Sequence, residues 1–371
     1  MASTIERVSR QRVATVPTER HSHAVQIWAG IGAAFVALQA YVWGSWLLSG
    51  PEHISRFHDH HNANYWFGVF FQALFVVILV PTWIILARQC RRHRRFTLDA
   101  MLIVGMLSIW WQDPLYSWFR PGFLYSDNLV NLESWLPHIP LTQPPYANLM
   151  PEPVLWGFGA YGSIFVVQVI AMCWFMRRVR DRWWTSIGPL GMFLLVAGLG
   201  FVADAVFEIP MLWTRVYAYP AAWQRFAIFG GRPYQLPLFH LAAGALFFSS
   251  LAALRFWRND RGETVVERGA EGISNPHRRT IARTLAIVGF VNVMSLAYYV
   301  PVFMQIASTD AFPRGYERWQ VNGWCGDQGQ PYGPCPAPGV NWKVRPDNSV
   351  PHPSEIYRQF PYFDQTGTGG R

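Results

Sequence analysis

Seven stretches of the chain, each about 20 residues long and nearly free of charge, alternate with short segments rich in arginine, proline or glycine. At about 1.5 Å of rise per residue, a helix of that length crosses the roughly 30 Å hydrocarbon layer of a bilayer. The pattern predicts spans at Val25–Leu48, Asn64–Ala87, Leu98–Phe119, Pro153–Met176, Ile187–Ile209, Tyr234–Trp257 and Ala282–Ile306. The strict alternation of a lipid-facing barrel strand is missing, whereas a helix satisfies its backbone polar groups within one segment. The expected fold is therefore all-α, a polytopic transmembrane helix bundle of about seven spans. Residues 1–24 read as a disordered basic cytoplasmic tail, 25–306 as the transmembrane domain, and 307–371 as an irregular extracytoplasmic tail.

Arginine placement orients the bundle. Of the 31 Lys and Arg residues, 20 fall in the N-terminal tail and the segments 88–97, 177–186 and 255–283, and only 5 in the short loops at the opposite end. The positive-inside rule then expects a multi-pass cell-membrane protein with the N-terminus in the cytoplasm and the C-terminus outside. Because 24 mostly polar residues precede the first span, no cleavable signal peptide is expected. The net charge of +9 needs no nucleic acid, because Arg91-Arg92-His93-Arg94-Arg95 and its like sit where anionic membrane lipids attract them. Charged residues are only 14% of the chain, too few to coat a soluble surface of this size, which excludes an ordinary cytosolic enzyme.

Two polar segments look built rather than slack. Loop 120–152 holds six prolines beside Tyr125, Asn128, Asn131, Glu133, Trp135 and His138, a composition for a folded capping loop. The tail 307–371 has nine prolines and nine glycines, with aromatics that could pack across the outer mouth of the bundle, a face open also to a protein partner. Cys325 and Cys335, in the tail placed outside, are positioned for a disulfide or for two unpaired thiols; Cys90 and Cys173 read as free thiols. The histidines of His58-Asp59-His60-His61 read as a hydrated loop with incidental metal affinity, so no metal site is expected.

Ionisable residues inside spans are expensive and mark function by default. They are few: Asp113 in the third span, Asp204 and Glu208 in the fifth, and His240 in the sixth. The alternating topology puts all four in the outer half of the bilayer. Asp204 and Glu208 are four apart and share a helix face, where two carboxylates compete for a proton and one can serve as acid while its neighbour is ionised. His240 is a candidate third titrating group. Gln112, Gln72 and Asn292 are candidate hydrogen-bonding contacts to substrate, and Trp111 and Tyr116 candidate aromatic faces for a developing cation. The plain alternative is structural: Asp113 before Pro114 ending a helix, Glu208 at the interface, His240 as a packing residue.

The stretch Trp110-Trp111-Gln112-Asp113-Pro114-Leu115-Tyr116, with Tyr125-Ser126-Asp127-Asn128, Asn131-Leu132-Glu133-Ser134-Trp135 and Pro151-Glu152-Pro153, resembles the AveC-like spirocyclase family. The resemblance runs from about residue 25 to 345 and implies the same polytopic membrane fold. The name-giving member acts in avermectin biosynthesis, closing a dihydroxy-ketone polyketide into a 6,6-spiroketal and promoting dehydration. The resemblance thus implies secondary metabolism and a lipophilic substrate, turned over by carboxylate acid/base chemistry with no metal or redox cofactor. Asp113 or Glu208 is nominated as general acid, Asp204 as the ionised partner and His240 as proton shuttle. The competing expectations are a non-catalytic assembly or lipid-binding subunit of a larger complex and, more remotely, a metal-dependent oxygenase.

Overall fold

A computed structural model describes residues 23–54, 63–118, 121–141, 150–309, 313 and 315–321. Its frame is a helix bundle: α1 (Ala24–Leu48), α2 (Ala63–His93), α3 (Leu98–Leu107), α4 (Val154–Gly159) running through a π-turn into α5 (Phe165–Arg178), α6 (Pro189–Trp213), α7 (Leu238–Phe256) and α8 (Pro276–Ala307). Among the described residues, six helical stretches are long and apolar enough to cross a membrane, Val154–Trp183 counting as one. The third predicted span is built differently. The α3 helix stops at Leu107 and the chain tightens into a 3-10 helix, Trp110–Ser117. Pro114 accounts for the change in part, because it has no N–H to donate and its ring would crowd the carbonyl of Trp110 in a continuing α-helix.

Local signals set the other ends. The Thr97 hydroxyl accepts from the Ala100 N–H to start α3, and Asn275 caps α8 through the N–H groups of His277 and Arg278, with Pro276 at the first helical position. Several helices outrun the apolar windows: α2 continues through Arg91, Arg92 and His93, and α8 begins six residues before Ala282. Arginine is a good helix former, so hydropathy falls there while the helix persists.

The helices α1 and α8 cross most closely. A Cβ on Gly32 would collide with the backbone of Leu285, and one on Gly289 with the Trp28 carbonyl, so only glycine allows this approach. Elsewhere α6 packs along α7, α7 along α8 and α5, and α2 along α4. The buried core divides by chemistry. The half near the arginine-rich end is aliphatic and methionine-rich (Met101, Met106, Met172, Met176, Leu251), and the other half is aromatic (Trp46, Trp111, Trp135, Trp156, Tyr217, Tyr219).

The end away from the arginines carries short sheets. The strands β1 (His53–Ile54), β3 (Asn131–Glu133) and β4 (Pro151–Pro153) form an antiparallel trio in the order β1-β3-β4, while β2 (Leu124–Tyr125) pairs with β5 (Tyr217–Ala218). Indole N–H groups pin this cap: Trp135 donates to the Trp111 carbonyl at 2.9 Å and Trp46 to the Glu133 carbonyl at 2.9 Å. Past α8, the Trp319 carbonyl accepts from the Asp127 N–H at 2.9 Å, so the chain returns to the same cap. His58, His60 and His61, and the pair Cys325 and Cys335, lie outside the described residues.

Candidate active site

Where the aliphatic and aromatic halves meet, the bundle holds a cavity of about 120 Å³, roomy enough for several waters or a compact organic group. Asp113, Asp204, Glu208 and His240 all line it. They come from three elements: the 3-10 helix after α3, α6 and α7. Most of the remaining wall is aromatic, including Trp156, Phe165, Phe247 and Phe248 from the helices and Phe123 from the cap.

Glu208 and His240 form one wall. The Tyr219 hydroxyl donates to Glu208 Oε2 at 3.0 Å and lies 2.9 Å from His240 Nε2, which is itself 3.3 Å from Glu208 Oε1. A phenol has one proton. If Tyr219 gives it to Glu208, the ring N–H must sit on Nε2 and point towards Tyr219 or Glu208. The single lone pair on Nδ1 is then the acceptor for Tyr298 at 2.7 Å, with the Tyr116 hydroxyl next to it at 3.2 Å. Five side chains therefore make a continuous hydrogen-bonded path along this wall. One turn back on α6, Asp204 lies against the α7 backbone, where a Cβ on Gly244 would come within 2.9 Å of its Oδ2.

The second wall belongs to Asp113. Tyr161 donates to Oδ1 at 2.6 Å and Tyr125 to Oδ2 at 2.9 Å, so both carboxylate oxygens are fixed. Tyr161 sits in the π-turn Ala160–Ile164, whose wider coil is a common device for redirecting a side chain. Tyr125 comes from β2, held in place by β5. Burial first, then the negative charge of Asp113 on Tyr125 and of Glu208 on Tyr217 and Tyr219, pushes these three loop phenols well above their ordinary values. They remain protonated donors across the usable pH range.

Behind Asp113 lies Glu152 of β4, completely shielded and bonded on Oε1 by the Ser134 hydroxyl at 2.8 Å. Among the described residues its Oε2 is buried without a hydrogen-bond partner. Burial, with the charge of Asp113 adding to it, raises its carboxyl well above the usual carboxylate range. As pH climbs past its ordinary value, the unfolded chain releases this proton while the folded chain keeps it, so Glu152 makes the fold less stable with rising pH. Glu152→Gln is therefore expected to flatten the fall in melting temperature between pH 5 and pH 8; parallel profiles for the two proteins would refute this protonation state.

Of the five candidate substrate contacts, only Tyr116 lines the cavity. Trp111 and Gln112 instead donate to Asn292 Oδ1 at 3.3 and 2.8 Å, and Asn292 Nδ2 reaches the Ser108 hydroxyl at 2.8 Å. This polar clamp fastens the 3-10 segment to α8. Gln72 accepts from the Val130 N–H at 2.9 Å and fastens the capping loop to α2. Sequence reasoning alone does not single out the tyrosines at 125, 161, 219 and 298 as site residues. Their signal was a tyrosine in or beside an apolar run, because a buried phenol needs a hydrogen-bond partner.

A family model described as Spirocyclase AveC-like matches residues 93–322, more than half of the 371-residue chain. No curated protein and no solved structure matches the chain. The matched segment contains every residue that lines the cavity. The motifs at Trp110–Tyr116, Tyr125–Asn128 and Pro151–Pro153 thus supply one carboxylate wall and its supports, and the chain belongs to the AveC-like spirocyclase family.

Proposed function

We propose that this protein is a membrane cyclase that closes a lipophilic hydroxylated ketone into a cyclic ketal with loss of water, by proton transfer from its own side chains. Family membership supports the cyclase-type role. The observation that carries the chemistry is the convergence of two separate carboxylate walls on one aromatic-lined cavity.

The reaction needs an acid and a base on opposite sides of one carbon. One substrate hydroxyl adds to the ketone to give a hemiketal. Glu208, with its proton supplied through His240, protonates the hemiketal hydroxyl, and the C–O bond breaks to release water and leave an oxocarbenium ion. The Asp113 carboxylate, held by two phenol donors, faces that positive charge and then takes the proton of the second hydroxyl as it attacks. Aromatic faces stabilise the cation further. The balance is one ketone and two hydroxyls in, one spiroketal and one water out, with a proton returning from Asp113 to His240 through chamber water. Asp204 shares the proton inventory of the α6 wall. Loss of a proton from the carbon beside the oxocarbenium centre, in place of hydroxyl attack, gives the dehydrated enol ether.

The arginine-rich end is assigned to the cytoplasm by the charge rule, which puts the chamber in the outer half of the membrane. A lipophilic substrate then enters sideways from the bilayer. The direct test uses the full chain in lipid nanodiscs with a long-chain dihydroxy-ketone. Acid-catalysed closure in solution gives a mixture of ketal epimers, whereas the protein is expected to accelerate closure and yield one epimer. Background rate with the solution mixture of epimers would count against cyclase activity on this substrate class and in favour of a binding or assembly role.

A further inference from the structure

At the arginine-rich end, well away from the chamber, a groove of about 490 Å³ opens between α6, α7 and α8 beneath the loop that follows α7. Its floor is apolar, formed by Phe193, Leu254, Phe290 and Met294, and its rim carries Arg258 and Arg268. Other arginines nearby are neutralised: Arg255 pairs with Asp99 at 2.7 Å, Arg279 with Glu271 at 3.0 Å and Arg283 with Glu267 at 2.8 Å. Arg258 and Arg268 differ. Among the described residues neither has a carboxylate within ion-pair distance.

Arg258 gives its Nε–H to the Arg255 carbonyl at 3.0 Å, which leaves its two terminal nitrogens for another acceptor. Partial burial and the neighbouring charge of Arg255 push its guanidinium down from the ordinary value, a penalty that a bound anion would remove. Trp257, exposed beside it, is the kind of residue that settles at the headgroup level of a membrane. A cationic rim over an apolar floor between spanning helices matches the two ends of a phospholipid, and a small soluble anion would leave the floor unused.

We infer that this groove binds one anionic phospholipid, its phosphate between Arg258 and Arg268 and an acyl chain along Phe193, Leu254, Phe290 and Met294. The inference is independent of the chemistry proposed for the chamber. The lipid acts as a wedge that ties α6 to α7 and α8, the same helices that carry Asp204, Glu208, His240 and Tyr298.

The experiment reconstitutes the full chain in phosphatidylcholine nanodiscs with a minor share of phosphatidylglycerol and counts retained lipid by native mass spectrometry. The wild type is expected to keep one phosphatidylglycerol. R258Q/R268Q should weaken that retention about thirtyfold, at roughly 1 kcal/mol per arginine near the surface. R91Q/R92Q removes the same charge from exposed positions on α2 and should change nothing. Met294→Trp fills the apolar floor with both arginines intact and should also displace the lipid. Inorganic phosphate at millimolar concentration should not compete. The inference is overturned if R258Q/R268Q retains the lipid like wild type, if R91Q/R92Q loses it equally, if Met294→Trp leaves it in place, or if inorganic phosphate alone displaces it.

Discussion

Glu208→Gln is expected to slow ketal closure by about 10²–10⁴-fold, the range that a positioned general acid contributes, with little change in the melting temperature of the detergent-solubilised protein. The two effects separate because the substitution is isosteric. A glutamine carbonyl oxygen still accepts the Tyr219 hydroxyl that Glu208 Oε2 accepts at 3.0 Å. The side-chain nitrogen then faces His240 Nε2, and the imidazole answers by moving its proton to Nδ1, where Tyr298 can accept it. The hydrogen-bonded path along this wall survives, but its last member no longer releases a proton. A side chain that only packs would show the opposite pattern: turnover close to wild type, or loss of turnover together with loss of the folded protein. Initial rates and thermal melts on one preparation decide between these.

Asp113→Asn is expected to cost about 10²-fold or more in turnover and, unlike the Glu208 change, to lower stability as well. Asp113 accepts from Tyr161 at 2.6 Å and Tyr125 at 2.9 Å. Asparagine offers one oxygen and one NH2 group, so one phenol must rotate and accept instead of donate. Leaving that phenol poorly matched inside an aromatic core costs about 1–3 kcal/mol. The rate effect has a different origin, since a neutral amide neither stabilises the oxocarbenium ion nor takes the proton of the attacking hydroxyl. Tyr161→Phe separates the two contributions: it removes one donor but keeps the charge, so its rate should fall less than that of Asp113→Asn while its stability falls by a similar amount. Equal rate losses in the two variants would mean that orientation of this wall, and not the charge of Asp113, sets the rate.

The helical frame was legible because hydrocarbon imposes a length and a polarity on each span, and among the described residues six stretches follow it. The third segment escaped the same reasoning. Hydropathy registers that Leu98–Phe119 is apolar, but not that the chain tightens at Trp110 into a 3-10 coil. That tightening matters, because the 3-10 segment is what turns Asp113 and Tyr116 to the cavity while Trp111 and Gln112 turn to Asn292. Residue type alone nominated all of them. Only the backbone geometry separates those that line the chamber from those that clamp it.

The ionisable members of the site were readable from the rarity of charge in spans, and spacing placed Asp204 and Glu208 on one face. Their convergence with Asp113 and His240 was not readable, since helix rotation leaves no mark in a run that is apolar all round. The tyrosines were harder still. Tyr125 and Tyr219 come from the cap, 12 residues after Asp113 and 11 after Glu208, and only the pairing of β2 with β5 carries them over the cavity. Glu152 was visible as part of Pro151-Glu152-Pro153, but its buried, half-satisfied carboxyl depends on β3 and β4 closing around it.

Both carboxylate walls are expected to serve one reacting carbon. An experimental density map of the full chain in nanodiscs, soaked with a stable spiroketal carrying a heavy-atom label on its alkyl arm, tests it most directly. The ketal carbon is expected inside the chamber, its oxygens within hydrogen-bond reach of Asp113 on one side and of Glu208 or His240 on the other. A ligand held elsewhere on the bundle, with those side chains packed against one another and no room between them, would contradict it.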